Sequence, residues 1–552
     1  MAENNDQHVF FVDDELVERL MRGDKVEDSS KQKRPATVSA LANAIRLATE
    51  GHLDEAVKEL EAAAEKGENP VEVYTALGHL RFEQQNWNEA AECYGKVAAL
   101  EPQHRTAHYN LGLCLERQGK FEEAAQSFEG ALEIDPKRWQ AQLVRGLCLL
   151  QLGKPQEALE CLEASLKESP DHDQALFGKA VALHQLGNLD AAGEIYRKLL
   201  PSNPNSPDLL VNMIALSSTR KEEGKMREYG ERLLKIRPHS APGLQSLAAA
   251  ALMRGDYSAV IQNGTSLVKV DPECYEGWFN LAIAYQKTGR LEQAGIAYRE
   301  AARIRPDAVE AHANLGVVLQ ERGDLAGARS AYEQVLSLSP DLPGALWNLA
   351  LLVERDGHAD QAEQYLEKLV ARNPDFEDAA FRLGYLQFER AEYASAVDSF
   401  ETCLKKRTDW VEALVNLGLA CWKFQDLDAA EETFHRVLNL QPDNIDSLRT
   451  LTAIAIERKD HERAWDLHQK LTGLGERPVA LSYNLGLLLQ SAGENNRAAE
   501  CYQSALDKKE DFSEALLNLG HALKAVGKEE EARQMWSKAI TADPTLAEQY
   551  FH

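Results

Sequence analysis

The sequence predicts an all-α solenoid of stacked helical hairpins, and two observations carry that prediction. Prolines recur at intervals of 34 residues along most of the chain. Between them, apolar residues follow the spacing of amphipathic helices, in two runs separated by a short turn. A fixed period of about 20–50 residues is the signature of repeat architectures.

Eleven prolines show where each repeat begins and ends. They are Pro102, Pro136, Pro170, Pro204, Pro238, Pro272, Pro306, Pro340, Pro374, Pro442 and Pro544. Counting each as the thirty-second residue of a repeat places 15 repeats over residues 37–546 without an insertion. The repeats begin at Thr37, Val71, Arg105, Trp139, Asp173, Pro207, Ala241, Tyr275, Val309, Pro343, Glu377, Val411, Ile445, Val479 and Ser513.

Residues 1–36 form an N-terminal extension and residues 547–552 a C-terminal tail. Within the extension, His8–Met21 reads as a short amphipathic helix and Arg22–Pro35 as a polar, disordered linker. The apolar stretch Val9–Val12 has three open interpretations: it caps the first repeat, docks on another protein, or occupies the chain's own groove. A homo-oligomer formed through this extension or the terminal repeats is also left open.

Small residues recur at fixed places in each repeat, as 309–342 illustrates. The eighth residue is Gly or Ala in 13 of 15 repeats (Gly316 here), and the twentieth is Ala in 13 of 15 (Ala328). We expect small residues there to let the two helices cross closely, while Leu315 and Tyr332 fill the space between neighbours. Glycine at the fifteenth place, Gly323, occurs in 10 of 15 repeats and predicts a left-handed helix cap.

This pattern of small residues, large residues and closing prolines resembles the tetratricopeptide repeat, over about nine-tenths of the chain. The resemblance implies a right-handed superhelix of about 15 antiparallel helix pairs. It also implies that the first helix of each repeat lines a concave groove.

The sixth residue of the first helix is asparagine in eight repeats. These are Asn110, Asn212, Asn280, Asn314, Asn348, Asn416, Asn484 and Asn518. The row resembles the asparagine ladder in the repeats of O-linked N-acetylglucosamine transferases, where side-chain amides hold the backbone of an extended polypeptide. An amide offers a donor and an acceptor together, which matches a peptide bond. The alternative interpretation is a polar inner face that binds nothing.

Aromatic residues precede some of these asparagines. Phe279, Trp347 and Phe381 are expected to form apolar pockets beside the ladder, or else to pack against the neighbouring helix. Arg382 matches part of a chaperone-binding clamp, but Asp378 stands where that clamp needs lysine, so we expect Arg382 at most to hold a single carboxylate. The predicted binding stretch is 275–420.

Two of the repeats, spanning 207–274, depart from the pattern. The small residues give way to Ile214, Met226 and Val260, while Gly230 and Gly264 replace the large twenty-fourth residue. Loss of bulk at that place lowers the area buried between helices. We therefore hypothesise a soft joint at 207–274, against local compensation as the alternative.

Composition and motifs exclude several functions. The formal charge of −27 argues against a nucleic-acid partner, and no apolar run reaches the length of a membrane span. The eight cysteines show no zinc-ligand spacing, so we expect no metal or other cofactor, and reduced thiols in a cytoplasmic protein. No catalytic motif is found, and we expect no enzyme activity.

The predicted function is that of a scaffold or adaptor, whose partners are protein or peptide segments. The alternative is the regulatory or substrate-targeting subunit of a separately encoded enzyme, such as a glycosyltransferase.

Overall fold

A computed structural model describes residues 40–546 of the chain. The expectations for the N-terminal extension and for the tail 547–552 lie outside the described residues. The described residues divide into two compact bodies, one that ends at Ala284 and one that begins at Tyr285, with the boundary inside one helix. The described part contains 30 α-helices and no strand, so the all-α class is confirmed.

Two helices form each repeat. The helices up to the boundary are α1 Ala40–Thr49, α2 Leu53–Glu65, α3 Pro70–Glu83, α4 Trp87–Leu100, α5 Ala107–Arg117, α6 Phe121–Ile134, α7 Trp139–Gln151, α8 Pro155–Glu168, α9 Asp173–Gln185, α10 Leu189–Leu199, α11 Pro207–Thr219, α12 Glu223–Ile236, α13 Ala241–Arg254, α14 Tyr257–Val270 and α15 Tyr275–Lys287. The remaining helices are α16 Leu291–Ile304, α17 Val309–Glu321, α18 Leu325–Leu338, α19 Pro343–Arg355, α20 Ala359–Arg372, α21 Glu377–Glu389, α22 Tyr393–Leu404, α23 Val411–Lys423, α24 Leu427–Leu440, α25 Ile445–Glu457, α26 His461–Gly473, α27 Val479–Ser491, α28 Asn495–Leu506, α29 Ser513–Ala525 and α30 Glu529–Ala542.

The phase prolines stop the second helices. For example, α18 ends at Leu338 and Pro340 follows it, while α24 ends at Leu440 and Pro442 follows it. A proline removes a backbone donor and disfavours the helical conformation of the residue before it. Within each body, each first helix packs on the second helix of its own repeat and on the second helix of the repeat before.

The predicted close crossing of the two helices depends on a glycine and a ring. A Cβ added to Gly316 would lie 2.6 Å from the Tyr332 ring, which is itself only 1% exposed. Gly384 meets Phe400 in the same way, at 2.9 Å. The glycine of the first helix therefore makes room for the ring of the second helix in the same repeat.

The turn between the two helices adopts the predicted left-handed conformation. Gly323 has a φ of +82°, and glycines at the fifteenth place of other repeats have similar values. Where the sequence lacks glycine at this place, the residue still adopts positive φ, as Lys221 (54°) and Gln425 (70°) do. Stacking of the hairpins is strong enough to hold these side chains in a conformation that costs them about 1 kcal/mol.

The departures at 207–274 are compensated by leucines from the following repeat. A Cβ on Gly230 would lie 3.1 Å from Leu247, and one on Gly264 would lie 2.8 Å from Leu281. The larger residues are also accommodated, since Met226 and Val260 are 2% and 0% exposed. The space that the missing rings would fill is therefore occupied, which favours local compensation over a soft joint.

All eight cysteines are free thiols, as expected. Seven are buried, and burial raises the pKa of Cys148 and of Cys501 to about 12. Among the described residues, no helix combines the length and apolar character needed to cross a bilayer.

Candidate functional site

The first helices of the C-terminal body leave one face uncovered. In α19, for example, Leu346, Leu349 and Ala350 are buried, whereas Asn348 and Leu351 remain partly exposed. Residues three and four apart lie on the same face of a helix, so places 2, 6, 9 and 13 of each repeat form that face. The sixth-place side chains lie at its centre.

Two asparagines of this face have side-chain groups that make no hydrogen bond among the described residues. Asn314 is half-buried, and within the described residues its side chain makes no hydrogen bond. Asn348 donates from Nδ2 to the Tyr332 hydroxyl at 3.2 Å, which leaves its Oδ1 as an acceptor. The pair therefore offers one complete amide and one carbonyl oxygen.

A buried tyrosine holds Asn348 in this orientation. The Tyr332 hydroxyl donates to Gln320 Oε1 at 3.1 Å while it accepts from Asn348. Burial raises the pKa of Tyr332 to about 12, so the hydroxyl keeps its proton at neutral pH. Sequence reasoning missed this relay, although the glutamine at the twelfth place and the tyrosine at the twenty-fourth place of the repeat are a signal that could have predicted it.

The other asparagines of the C-terminal body differ in their partners. Asn416 donates to the Glu412 carbonyl of its own helix at 2.8 Å. Asn484 is exposed, and Asn518 donates to the Tyr483 hydroxyl at 3.0 Å. The ladder predicted from the sequence is therefore chemically uneven, because three different environments surround its members.

The asparagines of the N-terminal body also differ. Asn110 is fully buried, so its side chain presents no surface in this structure. Asn212 donates to the Asp208 carbonyl at 2.9 Å and accepts from the Tyr196 hydroxyl at 3.4 Å. Asn280 is half-buried, and its side chain makes no hydrogen bond within the part of the chain that the structure describes.

The three aromatic candidates pack against their own chain with part of each ring. Trp347 lies 5.2 Å from Phe376, between ring centroids, and Phe381 lies 4.6 Å from Trp410. Phe279 stacks on Tyr275 at 5.4 Å. All three candidates remain partly exposed. Sequence reasoning missed the covering rings, although Phe376 and Trp410 both occupy the last place of a repeat.

Arg382 is engaged by a carboxylate of its own chain. Its Nε donates to Glu354 Oε2 at 2.8 Å and its Nη2 donates to Glu354 Oε1, while the guanidinium lies 5.5 Å from the Tyr385 ring centroid. Such a bidentate pair satisfies the charge of the arginine. Arg382 therefore braces α21 against α19, and any acid from a partner would have to compete with Glu354.

Within residues 40–546, one group of side chains has the spacing of metal ligands, at His461, Glu462 and Glu494. Arg497 Nη1 lies 2.9 Å from Glu462 and 2.7 Å from Glu494. The guanidinium thus already provides a positive charge among these carboxylates, and the group is a partly exposed ion-pair network.

Comparison with known proteins identifies the repeat. Family models described as tetratricopeptide repeat match residues 75–138, 143–207, 381–445 and 483–547, a second such model matches 115–164 and 319–383, and a third matches 275–308. No curated protein matches the chain.

Several solved structures are similar to the chain at low identity. Cut9–Hcn1 of the APC/C is 16% identical, covering 88% of this chain and 97% of that one, with a TM-score of 0.32. YrrB, a protein with an unusual peptide-binding site, is 19% identical, covering 34% and 96%, with a TM-score of 0.31. Naa15/Naa10 bound to HypK-THB is 15% identical, covering 90% and 79%, with a TM-score of 0.30. From its family matches and its helical hairpins, the chain belongs to the tetratricopeptide-repeat family.

Proposed function

We propose that the chain is a non-catalytic scaffold that holds an extended peptide of another protein across the first helices α17, α19, α21 and α23. Tetratricopeptide repeats support protein–protein interaction in general and are typically non-catalytic. The finer assignment to one face and to an extended peptide is our proposal.

The observation that carries the proposal is the state of Asn314 and Asn348. A half-buried amide without an internal partner loses hydrogen bonds to water when a ligand covers it, unless the ligand replaces them. A peptide backbone supplies both the N–H and the C=O that Asn314 needs, and its N–H suits Asn348 Oδ1. The partly exposed Trp347 adds an apolar anchor beside them.

The proposal is tested with a displayed library of unstructured peptides of random sequence, selected on the full chain. We expect the wild type to enrich peptides, and the double variant Asn314→Ala/Asn348→Ala to bind those peptides about tenfold or more weakly, because at least two hydrogen bonds are lost. Asn439→Ala/Asn496→Ala is the matched control, since both residues are exposed on second helices. Equal binding by wild type and double variant would reject the peptide site.

A further inference from the structure

Two rows of side chains flank the amides of the C-terminal body on opposite sides. At the second place of the repeats lie acids, and we call them the acidic row. They are Glu310, Asp378, Glu412, Asp446 and Glu514, all of them exposed. Gly344 and Ala480 occupy the same place in the two other repeats that begin within this body, so no base interrupts the row.

The ninth place carries an apolar side chain in six of the seven repeats that begin within this body, and we call these side chains the apolar row; His521 occupies this place in the last repeat. The members of the row are Val317, Leu351, Tyr385, Leu419, Ala453 and Leu487. None is buried: Tyr385 is 37% exposed, Leu487 is 40% exposed, and the other four are intermediate. Covering such surface is favourable by about 25 cal/mol for each Å² removed from water. The row is thus an apolar strip that recurs on consecutive first helices.

Helix geometry sets the distance between the rows. Seven residues separate the second place from the ninth, which corresponds to about 10 Å along a helix axis. The sixth place lies between them on the same face. A ligand whose backbone runs over the amides would therefore have acids on one side and apolar groups on the other.

Part of the acidic row has no counter-charge from the chain itself. Glu310 and Glu412 form no ion pair among the described residues, and Asp378 meets Arg407 at 3.6 Å with both side chains largely exposed. Exposed pairs of this kind offset little charge. Arg382 is the sixth residue of its repeat, and its positive charge is already neutralised by Glu354. The row therefore keeps a net negative potential toward a ligand.

We propose that the occupant of this face is an extended segment of a partner protein in which lysine or arginine alternates with aliphatic or aromatic residues. Successive side chains of an extended strand point to opposite sides. Such a segment places its bases against the acidic row and its apolar residues against the apolar row, while its backbone lies on Asn314 and Asn348. This inference rests on the proposed function and names the chemistry of its ligand.

Three labelled ten-residue peptides test the ligand chemistry on the full chain by fluorescence anisotropy. One alternates Lys with Val, one alternates Glu with Val, and one alternates Lys with Ser. We expect the Lys/Val peptide to bind about tenfold more tightly than either other peptide, since only it matches both rows. Equal affinity for Lys/Val and Lys/Ser, or for Lys/Val and Glu/Val, would overturn the inference.

A charge-reversal variant distinguishes the effect of the acidic row on peptide affinity from the effect of the net charge of the chain. The variant Glu310→Lys/Glu412→Lys is expected to lose about tenfold in affinity for Lys/Val and to gain affinity for Glu/Val. The control Glu367→Lys/Glu401→Lys makes the same change in net charge at exposed places on α20 and α22, and should leave both affinities nearly unchanged.

Equal losses in the two variants would show that only overall charge attracts the peptide, and the inference would fail. The proposed function fails separately, when the peptides selected from the random library bind Asn314→Ala/Asn348→Ala as well as they bind the wild type.

Discussion

At the scale of single residues, the hairpin is defined by the contact between a glycine and a ring. Gly316 lies against Tyr332, and Gly486 lies against Tyr502, where an added Cβ would again be at 2.6 Å. Both rings are almost fully buried, so they cannot move into solvent to relieve a clash. The small residue is needed because the ring has nowhere else to lie.

The substitution Gly316→Ala should therefore destabilise the protein, although alanine is the better helix former. We expect a loss of about 1–3 kcal/mol in the free energy of unfolding, measured in urea, from overpacking against Tyr332. The control is Gly95→Ala inside α4, where an added Cβ meets nothing within 4 Å. That change should leave stability equal or slightly higher. A Gly316→Ala protein as stable as the control would refute the contact.

A buried histidine gives the protein a defined response to acid. His468 is 2% exposed, its Nε2 lies 2.8 Å from Ser482 Oγ, and burial lowers its pKa to about 4. The unfolded chain, with a pKa near 6.5, binds the proton more readily than the folded chain does. Stability contributed by neutral His468 is therefore complete above pH 6.5 and falls as the pH drops from there toward 4.

We expect this loss to be about 1.4 kcal/mol for each pH unit between those values, added to the effect of other groups. His468→Gln keeps a side chain that can hydrogen-bond to Ser482 but does not titrate, so the unfolding free energy of this variant should depend less on pH over this window. His239→Gln, at an exposed turn, is the control and should keep the wild-type dependence. Identical pH profiles for His468→Gln and wild type would show that protonation of His468 does not cause this loss of stability.

At the scale of helices, the repeats at 207–274 show how neighbours compensate for a changed position. Gly264 on α14 lacks the ring of other repeats, and Leu281 on α15 fills the site instead. Leu281 is 2% exposed, so it is part of the core and not a surface residue. We therefore expect the amides of α12 and α14 to be as protected from hydrogen exchange as those of neighbouring second helices.

Removal of the Leu281 side chain should reveal the lower local stability that the sequence suggested for 207–274. Leu281→Ala leaves a cavity opposite Gly264, at a cost of about 2–5 kcal/mol. Because solenoid repeats depend on their nearest neighbours, exchange should accelerate first in α14 and α15. Leu186→Ala, at a side chain that is 40% exposed, should change exchange little. Uniform acceleration along the chain would argue against local compensation.

At the scale of the whole molecule, the architecture could be predicted well from the sequence because similar side chains recur at the same places of successive repeats. The 34-residue period yielded the helical hairpins, and the small residues at the eighth place predicted the close crossing that Gly316 shows. Even positions without glycine, such as Gln425, follow the backbone that the period requires. The 34-residue period and the place of each residue within it are therefore enough to predict the fold.

The candidate site was less predictable, because it depends on pairs of residues that are distant in sequence. Asn348 is oriented by Tyr332, and Arg382 is neutralised by Glu354, 28 residues away. Asn110 and Asn314 are both asparagines at the sixth place of their repeats, yet Asn110 is fully buried. A row of identical residues in the sequence therefore does not give identical chemistry in the structure.

In the proposed function, the uncovered face of the first helices, centred on α19 and α21, receives the partner peptide. Site-specific photo-crosslinking tests it most directly, with a photoreactive phenylalanine placed at Leu351 on that face or at Glu367 on the outer side of α20. A peptide selected on the wild-type chain should crosslink from position 351 and not from position 367. Crosslinking from position 367 alone would show that the peptide does not bind on this face.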